Sequence, residues 1–479
     1  MNKSDSERVA TVLEEIGYSP AQKEGEADLV VIVACSVRQS AVDRIYGKAR
    51  ALAKLKMSAQ GRKNKKLFVL TGCVLPRDKK KLAGKFDYIL DIKEIDKLKN
   101  ELSEVVNEAI VHDYFKIKPS HSNDFSAFVP IMTGCNNFCS YCAVPYVRGR
   151  EESRSVGDIL REIKDLAKKG YLEITLLGQN VNAYNPKDIE SFSKENPYYH
   201  VIARSEPRLS GGATKQSPAI REKEGDCHAP TKGSGLAMTA RTAFAALLWE
   251  VNQIKGIERI FFTAPHPKDM SDEVISALAL PKMLNYLHLP VQSGDDEILK
   301  KMNRNYTASD YLKLAKKIKK IRPDIALGTD IIVGFPGETK RQFQNTVELY
   351  KKADFDISYH AMYSPRLGTV AAKFIDDIPR EEKKRRWNIL QKLMEKNTLK
   401  KNQKYLGKTV SVLVDGYEKG WYIGNSREMK RVRFRNLCHC EERPRQSGGE
   451  TKQSPEKEKV IGKIINVKIK KALMWILED

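Results

Sequence analysis

The chain has 479 residues, enough for two to four domains with cores of their own. Lys and Arg number 84 against 61 Asp and Glu, a formal net charge of +23 that favours a polyanionic partner, nucleic acid before a membrane surface. No apolar run approaches the ~20 residues that span a bilayer, and no hydrophobic signal segment opens the chain, so a soluble, reducing, cytoplasmic setting is expected, with no membrane partner.

The first segment reads as a helix. Ser4, Asp5 and Ser6 are candidate N-caps, Val9, Val12, Leu13 and Ile16 share one face, and Gly17 ends it. Short apolar strands follow at Asp28–Ala34, Lys66–Thr71 and Asp87–Asp91, alternating with helical stretches, which gives an open α/β domain over residues 1–118. Cys35 directly follows the first strand and Cys73 the second. Both therefore stand at carboxyl ends of strands, where open α/β sheets bind ligands, although small buried residues in βα turns would look the same.

Strand–helix alternation continues over residues 119–401, through Ala127–Met132, Leu172–Leu177, Arg259–Thr263, Tyr286–Pro290, Ile325–Val333 and Phe355–Tyr363. Repeated β/α units of this kind predict a full or partial barrel with its chemistry at the strand carboxyl ends. Cys135, Cys139 and Cys142 stand just after the first of these strands. Three thiols so spaced can each take one corner of a cubane [4Fe-4S] cluster, which normally uses four thiolates, and leave one iron open. That is the pattern of radical S-adenosylmethionine (SAM) chemistry. A zinc site would want a partner arm nearby, and none is present. Polar turns at Gly178–Asn182, Gln292–Gly294 and Gly334–Thr339 fall on the same predicted rim and are candidate contacts for SAM and substrate.

A long charged helix is predicted over residues 380–405, and the tail, 402–479, turns to short strands at Thr409–Asp415, Trp421–Gly424, Lys430–Arg435 and Val460–Ile469. Small basic β-barrels are common nucleic-acid platforms, a solvated surface being the alternative. Two segments break the pattern. Residues 207–218 recur at 444–455 with ten of twelve positions identical, and their Gly, Ser, Pro and Lys content cannot bury a core. They read as insertions of one repeated element, at about 197–241 and 437–457, and carry Cys227, Cys438 and Cys440.

Taken together, the chain resembles the radical SAM methylthiotransferases, and within them the enzymes that act on isopentenyl-adenosine in tRNA. The resemblance is carried by Ala34-Cys-Ser-Val-Arg38, Thr71-Gly-Cys73, Gly134–Glu151, Leu177–Asn182, His288–Gly294, Thr329–Thr339 and Tyr363-Ser-Pro-Arg366, with a tail similar to the RNA-binding TRAM domain. It implies a cluster on Cys135, Cys139 and Cys142 that reduces SAM, and a 5′-deoxyadenosyl radical that takes hydrogen from adenine C2. It implies also a second [4Fe-4S] cluster on Cys35 and Cys73 that carries or donates the sulfur, which a second SAM methylates. Cofactor contacts are implied for Tyr141, Gln179, Asn180, Gln292 and Asp330, and RNA contacts for Arg148, Arg150, Lys430, Arg431 and Arg433. Arg154 joins Arg148 and Arg150 behind the cluster loop, where a plain salt-bridge network is the alternative. The implied partners are a tRNA anticodon stem-loop and an electron donor such as flavodoxin or ferredoxin, the enzyme itself being a monomer.

One departure from the family is expected to matter. Its auxiliary cluster uses three cysteines, the first in a strand–Gly-Cys-Gln-Met-Asn segment, and Met1-Asn2 looks like the tail of that segment. The first strand and first ligand are therefore expected to be missing through a start codon assigned too late. The alternatives are a relative that modifies threonylcarbamoyl-adenosine in tRNA or a ribosomal protein, or a truncated tRNA-binding remnant unable to insert sulfur.

Overall fold

The computed structural model describes residues 1–35, 39–58, 66–102, 114–199, 235–435 and 460–479. Most of both predicted insertions, with Cys227, Cys438 and Cys440, lies outside the described residues, as does Arg38.

Near the N-terminus, strands β1 (Leu29–Cys35), β2 (Leu67–Cys73) and β3 (Tyr88–Ile89) form a parallel sheet in that order. The helix Asn2–Glu15 covers one face through Val9 and Val12, together with Ile92, Ile95 and Leu98. Ile45, Ala49, Leu52 and Leu82 cover the other. This is the expected open α/β unit, with one correction at its start. The helix begins at Asn2, so Ser4 and Asp5 lie inside it, fully buried, and cap nothing. Their polar groups are held by side chains instead, Ser4 Oγ by Arg8 at 2.6 Å and Asp5 by Tyr114 and Arg148.

The central part is a parallel half-barrel in two stretches. Strands β4 (Ser126–Pro130), β7 (Glu173–Leu177) and β8 (Arg259–Phe262) pair in one, and β9 (Tyr286–His288), β10 (Ala326–Val333) and β11 (Ile357–Met362) in the other. A bridge between Ile260 and Met283 joins them, so all six strands follow in chain order. A two-residue antiparallel pair, β5 (Met132–Thr133) and β6 (Glu152–Ser153), closes the base of the cysteine loop. Helices wrap the outside because their apolar residues recur at three and four. In the helix Val156–Lys168, Ile159, Leu160, Ile163 and Leu166 are buried, and Ser155 caps the start by accepting from Asp158 N–H. Thr307 and Thr339 each begin a helix with a reciprocal capping box.

After the helix Arg380–Gln403 the tail forms a six-stranded sheet. Its members are β12 (Thr409–Glu418), β13 (Trp421–Ser426), β14 (Arg431–Phe434), β15 (Ile464–Lys468), β16 (Lys471–Ala472) and β17 (Leu477–Glu478), ordered β15-β12-β13-β14-β17-β16 around Val412, Val414, Val432, Phe434 and Leu477. Polar anchors fix this sheet to the half-barrel. Buried Arg259 pairs with Glu173 at 2.8 Å and donates to the carbonyls of Asn425 and Ser426 at 3.1 and 2.9 Å. Asn402 donates to the carbonyls of Leu473 and Met474. Burial pushes the Glu173 carboxyl up and the Arg259 guanidinium down, so the pair offsets only part of its own desolvation and adds no net stability.

Arg259→Met therefore strands one half-buried carboxylate and two carbonyls. The expected loss is about 3 kcal/mol or more in urea unfolding, with early proteolytic release of the tail sheet. Unchanged stability and cleavage would remove Arg259 as the anchor.

Candidate functional site

The chemistry-bearing side chains gather at the carboxyl ends of the strands. Cys135 and Cys139 are buried and Cys142 is half-buried, all three as free thiols on the loop that leaves β5. Gly134 makes this loop possible. It holds φ +79°, and a Cβ there would lie 1.9 Å from the carbonyl oxygen of Arg150, so only glycine lets the two arms of the loop approach this closely. Met302 and Lys301 pin the loop from behind, their carbonyls accepting from Ser140 N–H and Oγ. Arg304, on the same segment, donates to Cys139 Sγ at 3.5 Å and to Tyr306 Oη at 2.8 Å.

Burial pushes the Cys135 thiol up to about 11 and the Cys142 thiol up to about 12. Left alone, both stay protonated at neutral pH, and positive charge from iron is what would convert them to thiolate ligands. The turn after β7 faces the loop. Asn180 Nδ2 donates to Asp269 at 3.0 Å and to Glu151 at 3.3 Å, and Glu151 accepts from the Asn136 N–H at 3.1 Å. Gln179 Oε1 and Asn180 Oδ1 are buried with no partner. The loop thus carries three thiols with a guanidinium at one sulfur, and unpaired acceptors stand on the turn after β7. Among the described residues, no three His, Cys, Asp or Glu side chains are already gathered as a metal site.

The other expected cofactor contacts are placed differently. Tyr141 packs against the cluster of Ile298, Met302, Phe335 and Tyr363, beside the cysteine loop. Gln292 is buried with φ +70°, held where its N–H donates to Asp330 O and its carbonyl accepts from Ile332. The Asp330 side chain is engaged by His288 Nε2 at 3.0 Å.

Cys35 and Cys73 are register partners in the parallel ladder of β1 and β2, so they leave the sheet side by side on one face. Gly72 (φ +98°) sets this pairing, because a Cβ there would meet Ala34 O at 2.4 Å. Arg148, expected at RNA, is instead buried between the two cysteine sites. Its Nε donates to Cys73 Sγ at 2.8 Å and its terminal nitrogens pair with Asp5, whose Oδ1 also accepts from Tyr114 Oη at 2.5 Å. Burial raises the Cys73 thiol, and Arg148 pulls it partway back.

Lys430 is the second correction. It is buried and reaches Asp356 at 3.3 Å, so neither it nor Arg148 is open to a phosphate. Arg150 is exposed and lies over the Phe138 ring at 4.5 Å. Arg431 pairs with Asp415, Arg433 with Glu478, and Arg154 with Glu162, the last being the salt bridge weighed for that residue. Asp5, Arg304, Tyr306 and His266 are site residues that motif reading missed. Only His266, flanked by Pro265 and Pro267 in the turn that follows a strand, carried a local signal.

Residues 1–91 match the uncharacterized protein family UPF0004, and residues 129–222 and 229–350 match the radical SAM superfamily. The tRNA-2-methylthio-N(6)-dimethylallyladenosine synthase of Clostridium novyi (strain NT) is 38% identical over 491 residues, 98% of this chain and 92% of its own length. That of Acetivibrio thermocellus is 38% identical over 496 residues, 100% and 88%. That of Caldicellulosiruptor saccharolyticus is 40% identical over 436 residues, 88% and 81%.

Arg148→Met leaves the Asp5 carboxylate buried and uncompensated, with an expected loss of about 3–5 kcal/mol in urea unfolding. Adding Asp5→Asn recovers most of that loss, and additive losses would show that the two residues act separately. Gly134→Ala should refold with its cysteine loop displaced and fail to hold iron after anaerobic reconstitution.

Proposed function

The chain belongs to the family of tRNA-2-methylthio-N(6)-dimethylallyladenosine synthases, and from that premise we infer that it adds a methylthio group to C2 of isopentenyl-adenosine beside the tRNA anticodon. The observation that carries this reading is the pairing of two cysteine sites, the buried triplet at the half-barrel mouth and Cys35 beside Cys73 at the adjoining sheet edge. Its cofactors are [4Fe-4S] clusters and SAM. Cys135, Cys139 and Cys142 would hold one cluster, and that group would supply the one-electron reduction of SAM needed to open an unactivated C–H bond to attack.

The rest is the work of the chain's own residues. Gln179 and Asn180 offer acceptors to the N–H groups of the SAM amino group, and Arg304 donates to Cys139, withdrawing charge from that sulfur. The half-barrel's inner face presents Asp330, His288 and Tyr359, with the His288 and Tyr359 rings 5.7 Å apart, an aromatic and polar surface on which a purine can stack and hydrogen-bond. Arg148 and Cys73 bring the sulfur-carrying site against the helix that ends the radical loop, so one base can be presented to both.

Binding of an anticodon stem-loop falls to the tail sheet. Arg433 and Arg435 stack on the Trp421 ring at 4.8 and 4.1 Å, and Trp475 is half-exposed. Cationic faces over aromatic rings support stacked, unpaired RNA bases. A one-electron protein donor such as a flavodoxin or ferredoxin, a monomeric state and a cytoplasmic site complete the proposal. Among the described residues, no helix is long and apolar enough to cross a membrane.

The test is nucleoside mass spectrometry of tRNA from a strain that lacks its own methylthiotransferase and expresses this chain. The 2-methylthio derivative of isopentenyl-adenosine is expected with the wild type and should be absent with Cys139→Ala. Methylthiolation of threonylcarbamoyl-adenosine instead, or of neither nucleoside, would sink the assignment.

A further inference from the structure

His266 begins the turn that follows β8, between two prolines, and the fold goes to some length to hold it. Ala264, two residues before it, adopts the left-handed conformation (φ +59°), a strained choice for a residue with a Cβ. Buried Asn182 clamps the His266 backbone in both directions, donating to its carbonyl at 2.9 Å and accepting from its N–H at 2.8 Å. The ring lies edge-on to Tyr306 at 5.9 Å. Further along the same turn, Lys268 Nζ donates to Asn137 in the cysteine loop at 2.8 Å, and Asp269 accepts from Asn180 at 3.0 Å. The imidazole is thus enclosed among the cysteine loop, the turn after β7 and the Arg304–Tyr306 pair that reaches Cys139.

Within that enclosure one atom is left over. His266 is only 6% exposed, its Nδ1 accepts from Lys268 N–H at 3.2 Å, and its Nε2 has no partner. Because Nδ1 accepts, the proton of the neutral ring sits on Nε2, which makes that atom a donor. Burial, then Arg304 and Lys268, push the imidazolium pKa down to about 2, so the ring is neutral throughout the working range. A buried donor without an acceptor costs about 1–3 kcal/mol, and such a group is retained where a ligand satisfies it. Asn137 Nδ2, also buried and unpartnered, is a second donor on the cysteine loop. The two donors complement the unpaired acceptors of Gln179 and Asn180, as a zwitterionic ligand requires.

We propose that His266 is a SAM-binding residue whose Nε2–H holds an acceptor oxygen of SAM against the cluster. The proposal rests on the methylthiotransferase reading only in taking SAM as the ligand. SAM is favoured over the tRNA base because His266 sits deep beside the cysteine loop, its ring against Tyr306, which holds the Arg304 that reaches Cys139.

Two variants separate the donor from the packing. His266→Gln carries an amide N–H out to about the reach of Nε2, while His266→Asn keeps an acceptor for Lys268 N–H but ends short of it. Both are reconstituted anaerobically, their iron content and melting temperature are compared with wild type, and SAM affinity is read without tRNA. The readouts are equilibrium dialysis and the change that SAM makes in the electron paramagnetic resonance spectrum of the reduced cluster. The expected result is an affinity loss of about tenfold or more for Asn and under about threefold for Gln, with the spectral change lost only in Asn. Equal losses in both variants would reduce His266 to packing. Wild-type SAM affinity in both, with methylthiolation lost, would assign the donor to the tRNA base and overturn the proposal. If the Asn variant holds no iron, Gln alone decides, and a tenfold loss there overturns it. Should wild type bind SAM with this dependence yet modify no tRNA, the functional assignment fails and the His266 inference stands.

Discussion

A single buried charge pair, Arg148 with Asp5, fixes how the two cysteine sites stand to one another. Arg148 ends the short helix that follows the Cys135–Cys142 loop, and Asp5 lies in the first helix of the N-terminal sheet unit. Both are withdrawn from water, Asp5 completely. Two charges in that setting keep each other in place, because separating them would leave each one uncompensated. The same guanidinium also donates to Cys73, so a movement of the radical loop is felt at the sulfur of the other site. Methylthiolation asks one adenine to meet a radical and a sulfur donor in turn, and this joint keeps the two cysteine sites in one fixed arrangement.

Around that joint, burial governs the electrostatics of the cysteine sites. Cys73, Cys135 and Cys142 are all pushed by burial toward the thiol form, which makes them inert until iron supplies the charge. Arg304 and Arg148 then serve matching roles, each giving one hydrogen bond to one cysteine sulfur. Such outer contacts tune the potential of a cluster and orient its ligands. Beside them, Gln179, Asn180, Asn137 and His266 each keep a buried polar atom without a hydrogen-bond partner.

Much of this was legible in the sequence, for identifiable reasons. Apolar, β-branched runs such as Leu-Val-Val-Ile-Val ahead of Cys35 locate the strands within a residue or two, because helices pack on both faces of this parallel sheet and leave the run half-buried. Cys135, Cys139 and Cys142 share one loop, as their close spacing after a strand requires. The tail strands and the half-barrel follow from the same periodicities. What escaped reading depends on partners far away in the chain. Arg148 meets Asp5 across 143 positions, and Lys430 meets Asp356 across 74, so both look like free surface cations until the fold is seen. The N-cap reading of Ser4 and Asp5 failed likewise, since Tyr114 and Arg148 claim Asp5 for the interior. Arg304 and Tyr306 occupy no motif and gain their place only because their segment packs behind the cysteine loop.

The most direct test of the account is Mössbauer and electron paramagnetic resonance spectroscopy of the anaerobically reconstituted chain, with and without SAM, beside a Cys135, Cys139 and Cys142 triple alanine variant. The account expects a [4Fe-4S] signal in the wild type that SAM perturbs, and loss of about four irons together with all SAM sensitivity in the variant. A variant that keeps its iron and still responds to SAM would contradict it, by showing that the cluster at the half-barrel mouth is held by other residues.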